Sequence, residues 1–357
     1  MPEFLELMPP EDALAVWLRA MQEPDIKVER ISSAQALGRV TAEAVRSPEA
    51  LPGFARSTVD GYAVQARSTH GASDTLPAYA ELVGEVPMGA APGFAVGLGQ
   101  AAVIHTGGML PQGADSVVML ELTQTARAGE IEIFKAVAAG ENVLKAGEDV
   151  GMGEEVLGRG VRLDAAAIGG LMALGLTEVT AARKPVAAIL SSGDEVVPPD
   201  RAVQPGQVRD VNSYALAALV ESCGGEARVY GIVPDRAEAL RTALRRALDE
   251  ADFVVITAGS SASARDLTAA VIRESGAPGV VVHGVNVRPG KPTILAVCDG
   301  KPVVGLPGNP VSALVIARLF VRPLVARLLG AASGKPQAAV PPRLSLNLAS
   351  QAGREGW

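Results

Sequence analysis

At 357 residues the chain exceeds one ordinary domain, and about two to four are expected. Hydrophobic residues make up 48% of it but aromatic residues only 3%, so the core must be built from Ala, Val, Leu and Ile. A net charge of -7 without a long Lys/Arg run argues against nucleic-acid binding, and no apolar run approaches the roughly 20 residues that span a bilayer.

In chain order, residues 10–21 read as an amphipathic helix, and no basic segment followed by an apolar core precedes it. Residues 47–180 hold short Val/Ala/Gly runs broken by Gly and Pro at intervals of about ten residues, the pattern of a β-rich module. Within it, FARSTVDGYAV sets Asp60 beside Gly61 and Tyr62 at a turn before an apolar run. VIHTGGMLPQGADSVVMLE is a strand, then Thr106–Gly107–Gly108, then a second strand ending at Glu121. Taken alone, both segments read as hairpin turns. GENVLKAGEDV begins a turn-dense polar stretch, and LDAAAIGGLMALGL reads as a short helix packed through small residues.

Residues 186–329 alternate strands and helices, the pattern of a doubly wound, mostly parallel sheet. VAAILSS is a buried strand, followed by a Pro/Gly-rich charged loop and the helix NSYALAALVESCGG, with Asn212 as its expected cap. ARVYGIV is the next strand, and DRAEALRTALRRALDEA is a helix with Asp235 as its expected cap. DFVVITAG, the helix LTAAVIRES, the strand GVVVHGV and a hairpin around Asp299–Gly300 follow. LPGNPVSALVIARLF then opens the last helix, with Asn309 at the N-cap and Pro310 at the first helical position. Beyond Gly330 a linker leads into RLSLNLAS, which alternates like the first strand of another module.

Four loops of this α/β region gather charged or small residues at strand ends, where open α/β sheets bind ligands. SSGDEV carries Asp194 and Glu195; TAGSSASARD is small enough for backbone N–H groups to approach an anion. In VNVRPGKPTI, Arg288 and Lys291 flank a rigid Pro-Gly turn, and Gly308–Asn309–Pro310 starts a helix whose dipole favours anions. Cations for phosphates and carboxylates for a hard cation such as magnesium make an anionic, metal-assisted site plausible. Singly, each loop reads equally well as a turn, a cap or a solvated surface. Cys223 and Cys298 lack CxxC spacing and read as small buried hydrophobes in a reducing compartment, so a cytoplasmic location is expected. The three histidines are too far apart for zinc-ligand spacing.

Together, LPGFARSTVDGYAV, IHTGGMLPQGADSVV, GENVLKAGEDV, SSGDEV, GIVPD, TAGSSASARD, RPGKP and GLPGNPVSA resemble the molybdopterin molybdenumtransferase (MoeA-type) family, in the family's order across residues 10–330. The resemblance implies an elongated multidomain subunit with an α/β domain, a separate β-rich domain and a C-terminal β-barrel. The expected division is 1–46 with 141–180 as a discontinuous N-terminal and linker domain, 47–140 as the β-rich domain, and 181–330 as the α/β molybdopterin-binding domain. Residues 331–357 are expected to start an incomplete, truncated barrel.

The implied reaction inserts molybdate into adenylylated molybdopterin and releases AMP, with Mg2+ assisting, in molybdenum-cofactor biosynthesis. The implied assembly is a homodimer with a cleft shared between subunits, and contact with a molybdopterin adenylyltransferase is possible. By the same resemblance Asp60, Thr106, Glu195, Asp266 and Lys291 are expected to be catalytic, with Glu195 and Asp266 also holding the metal. Asp149, Ser192, Gly193, Asp235, Gly259 and Ser260 are expected to bind the pterin substrate. So are Arg288, Gly290, Pro307, Gly308, Asn309, Pro310 and Ser312, with molybdate near Arg288, Lys291 and Ser312. Two features depart from the family pattern: TAGSSASARD stands where TGGVSVGD is usual, which brings Ala258 for a glycine and Arg265 beside Asp266, and Arg288 stands where lysine is common. The altered loop and the incomplete C-terminal module motivate an alternative, a catalytically degenerate molybdopterin- or oxyanion-binding scaffold of the same fold.

Overall fold

The computed structural model describes residues 7–258, 262–332 and 355–356. They fall into two compact units, one of residues 44–158 and 170–176, the other of the remainder.

The first unit is built on a six-stranded sheet: β1 (Gly61–Val64), β2 (Ala78–Glu85), β3 (Gln100–Ile104), β4 (Ser116–Met119), β5 (Thr123–Arg127) and β6 (Glu130–Ile133). Their order in the sheet is β4-β1-β3-β2-β6-β5, with only β2 and β3 parallel. The strands alternate, and both faces are covered. Val64, Ala101 and Val118 join Ile131 and Ile133 in one cluster, while Ala63, Ala102 and Val117 join Val86 and Val96 in another. The expected hairpin across residues 104–119 is not formed: β1 lies between β3 and β4 and pairs antiparallel with both. Gly61 is what permits this pairing. A Cβ there would lie 1.9 Å from the Val118 carbonyl oxygen, so only glycine fits.

The second unit is a six-stranded sheet between helices. Its elements are α1 (Pro10–Ala20), β7 (Val186–Ser192), α2 (Asn212–Ser222), β8 (Glu226–Val233), α3 (Ala237–Glu250), β9 (Phe253–Ala258), α4 (Ala262–Glu274), β10 (Pro278–His283), β11 (Ile294–Cys298), β12 (Lys301–Pro307) and α5 (Pro310–Leu328). The order is β8-β7-β9-β12-β11-β10; the first four strands are parallel, and β11 runs antiparallel to both its neighbours. β7 and β9 are buried along their whole length, as continuous apolar runs in a doubly covered sheet should be. On one face Ile189, Phe253 and Val255 pack with Leu216 of α2 and Phe320 of α5; on the other, Leu190, Val254 and Ile256 pack with Leu240 and Leu244 of α3. Burying each such side chain contributes about 1.5–3 kcal/mol. Trp17 of α1 closes the first face, donating from Nε1 to the Ala296 carbonyl at 2.8 Å and meeting the Phe320 ring edge-on.

The hairpin between β11 and β12 turns at Asp299 and Gly300, both left-handed at φ 50° and 84°, as a tight two-residue turn requires. Cys298 beside it is 2% exposed, and burial pushes its thiol up to about 11. Two expected caps are displaced. Asn212 lies inside α2, where Asp210 caps by accepting from the Ser213 N–H at 3.1 Å, and Asp235 makes no cap to α3. α4 starts at Ala262 rather than Leu267, which puts Asp266 within the helix. The strand expected in RLSLNLAS lies outside the described residues.

Candidate functional site

Parallel strands bring the carboxyl ends of β7, β9 and β12 to one edge of the sheet. The chain passes from β7 to β8 on one side and returns with β9 on the other, so the topological switch lies between β7 and β9. A crevice forms at such a point, because the connections leave it in opposite directions. Here it is a cavity of about 680 Å³, lined by Ser191 and Ser192, Thr257 and Ala258, and Gly308 to Pro310. The loop after β7 supplies the remaining wall, including Glu195, Asp210 and Asn212. That loop is held in shape by a short parallel pairing of Val196–Val197 with Val208–Arg209.

Asn309 caps α5: its side-chain oxygen accepts from the Val311 N–H at 3.1 Å and the Ser312 N–H at 3.3 Å. Pro310 has no N–H, so the cap uses the donors of the helix start. The helix end therefore attracts an anion through its dipole rather than through open N–H groups. Ser312, 8% exposed, turns its hydroxyl to the same Asn309 oxygen at 3.4 Å. Asn212 Nδ2 donates to the Gly308 carbonyl at 2.8 Å and ties the two walls together across 96 residues of chain. Asp210, 6% exposed, adds a carboxylate to the cavity wall. Sequence reasoning missed both roles; the signal for Asp210 was its position three residues ahead of Ser213, a capping interval.

Several other expected residues of this unit do not line the cavity. Ser192 Oγ donates to the Asp235 carboxylate, and the Asp235 N–H donates to Asp194 at 3.2 Å, which fixes the end of β8 against the loop after β7. This pairing is why Asp235 is unavailable as a cap. Gly193 takes φ 151°, and a Cβ there would meet Glu195 Oε2 at 2.8 Å. Arg288 and Lys291 are exposed. Between them Gly290 takes φ 122°, and a Cβ would lie 2.4 Å from Ile316 Cδ1, so the turn is braced against α5. Pro307 ends β12, and Asp266 is exposed on α4. Ala258, which replaces the family's glycine, is an extended residue of β9 with no positive φ, so the replacement carries no backbone strain. Gly259 and Ser260 lie outside the described residues. Among the described residues no group of three or more His, Cys, Asp or Glu could hold a metal ion.

In the β-rich unit the three motif segments are laced together. Ser57 N–H donates to the Gly108 carbonyl and Gly107 N–H to the Ser57 carbonyl, while Thr58 N–H donates to the Asn142 carbonyl and Leu51 N–H to the Val150 carbonyl. Asp60 Oδ1 accepts from the Thr106 N–H at 2.8 Å and from its hydroxyl at 3.2 Å. These bonds, the backbone one above all, hold the Asp60 carboxyl below its ordinary value, with His105 nearby adding to the effect. Asp149 is exposed, its backbone N–H bonded to the Leu51 carbonyl at 3.0 Å.

Comparison with known proteins agrees with this architecture. The profile of the MoeA N-terminal region (domain I and II) matches residues 8–175, and that of a probable molybdopterin binding domain matches residues 188–327. A molybdopterin molybdenumtransferase of Nostoc sp. is 37% identical over 84% of this chain and 69% of its own length. The Haemophilus influenzae protein of the same name is 32% identical over 92% of this chain and 80% of its own. A crystal structure of a molybdopterin biosynthesis MoeA protein from Pyrococcus horikoshii superposes with a TM-score of 0.77 at 41% identity, covering 91% of this chain and 81% of that one. With its two profile matches in order and relatives of this identity along most of its length, the chain belongs to the MoeA-type molybdopterin molybdenumtransferase family.

Proposed function

We propose that this protein inserts molybdate into adenylylated molybdopterin with release of AMP, with magnesium assisting, as a cytoplasmic homodimer. The observation that carries the reading is the cavity at the β7/β9 switch point, where strand ends, a helix N-terminus and two carboxylates converge. Arg288 and Lys291, on a turn braced against α5, supply the positive charge that a departing phosphate needs. Ser191, Ser192 and Thr257 offer hydroxyls to the pterin and phosphate groups at the cavity floor. Magnesium is commonly held by one or two carboxylates together with substrate phosphates. Glu195 and Asp210 on the cavity wall fit that mode, and the ion would neutralise phosphate charge; Asp266 is a further candidate ligand.

In the proposed dimer the Asp60–Thr106 pair of a second subunit faces this cavity and completes it. Molybdate, a tetrahedral oxyanion, fits beside Arg288, Lys291 and Ser312, with Asp149 and Asp235 as outlying binding residues. Incubation with adenylylated molybdopterin, molybdate and magnesium tests the reading: AMP release should depend on molybdate, and Lys291→Ala should weaken molybdate affinity. Tight binding without turnover would instead identify a scaffold, and Lys291→Ala with unchanged molybdate affinity would sink the anion-site assignment.

A further inference from the structure

Asp60, His105 and Glu85 come from the ends of three adjacent strands, and the register brings them together. Gly61 of β1 pairs with Ile104 of β3, so Asp60 stands opposite His105. Glu85 of β2 pairs with Val103 on the other side of β3. His105 Nδ1 lies 3.6 Å from Asp60 Oδ1, and Nε2 lies 3.2 Å from Glu85 Oε1. Both ring nitrogens thus face carboxylate oxygens. The next acidic side chain at this sheet end, Glu121 after β4, lies across β1 from the ring.

Each polar contact of the Asp60 side chain falls on one oxygen. Thr106 donates to Oδ1 twice, and the His105 ring approaches the same atom. We propose that His105, oriented by Glu85, is a positioning residue for Asp60: it fixes Oδ1 together with Thr106 and turns Oδ2 toward the substrate. Glu85 acts one step further back, as a carboxylate that sets the angle of the imidazole. The proposal rests on the reading of Asp60 as a cleft residue, and it assigns the relay to two side chains outside that reading.

The test pairs turnover with a measurement on the free protein, both on the full chain. His105→Ala should lower kcat for molybdate-dependent AMP release ~10-fold with KM within ~2-fold, and Glu85→Gln should lower it ~3-fold. His105→Asn, whose amide nitrogen can take the place of Nδ1, should recover most of the rate. In the free protein, a 13C titration should show the Asp60 carboxyl moving part of the way back toward its ordinary value in His105→Ala. A wild-type rate in His105→Ala would overturn the proposal, as would an Asp60 13C titration that His105→Ala leaves unchanged. A wild-type chain that releases no AMP would count against the proposed reaction instead, and the Asp60 titration would still decide the role of His105.

Discussion

The two units relate fold to chemistry in opposite ways. In the α/β unit the central strands β7 and β9 are fully buried, and the candidate site lies mostly in loops beyond their ends. Framework and site share only the last residues of those strands, Ser191, Ser192, Thr257 and Ala258. In the β-rich unit the candidate residues are the strand ends themselves. Asp60 adjoins Gly61, whose missing Cβ lets β1 pair with β4, and Thr106 follows directly on β3 through His105. Function and framework are largely separable in one unit and fused in the other. Gly290 is a further exception on the α/β side, because its turn is packed onto Ile316 while Arg288 and Lys291 to either side of it are exposed.

Four substitutions test that contrast. Gly61→Val should destabilise the protein by about 3–5 kcal/mol in urea unfolding, since the clash is with a backbone oxygen that cannot move without opening the sheet. Glu195→Gln, in a loop, should lower AMP release ~100-fold while leaving the urea midpoint within about 0.5 kcal/mol of wild type. A comparable loss of stability there would break the contrast. Asn309→Ala should cost about 1 kcal/mol through the lost cap, read as a fall in melting temperature. It also frees the Val311 and Ser312 N–H groups, so phosphate affinity should rise rather than fall.

The smallest effect is on a titration. The folded carboxyl of Asp60 lies below the ordinary value of 3.8, so its contribution to stability is fully present above that pH. It is lost as the pH falls through the lower folded value. Thr106→Ala removes the side-chain bond and keeps the larger backbone bond, so the carboxyl should move only part of the way back in a 13C titration. A full return to the ordinary value would mean that the hydroxyl, not the Thr106 N–H, sets the charge.

Most of the α/β unit was legible in the sequence because its signals are local. Continuous apolar runs at 186–192 and 253–258, the Asp299–Gly300 turn and the Asn309–Pro310 helix start each declare themselves within a few residues. The displaced caps show where locality ends. Asn212 is drawn to Gly308 and Asp235 to Ser192, partners 96 and 43 positions away, and no short-range rule weighs those against a helix N–H. The β-rich unit was less legible for the same reason. Short strands of Ala and Val mark their existence but not their neighbours, so the insertion of β1 between β3 and β4 left no trace in the segment that looked like a hairpin. The Asp60–Thr106 pairing was reached only through family resemblance, and the approach of Glu85 to His105 not at all.

The two thiols differ in a way that makes the molecule self-reporting. Cys223 sits at the end of α2, partly exposed, whereas Cys298 is shut beneath the β11–β12 hairpin with its thiolate suppressed. Alkylation of the folded protein near neutral pH therefore marks Cys223 first. Any later reaction at Cys298 must wait for the hairpin to open, so its rate clocks the rarest motions of the sheet on which the cavity is built.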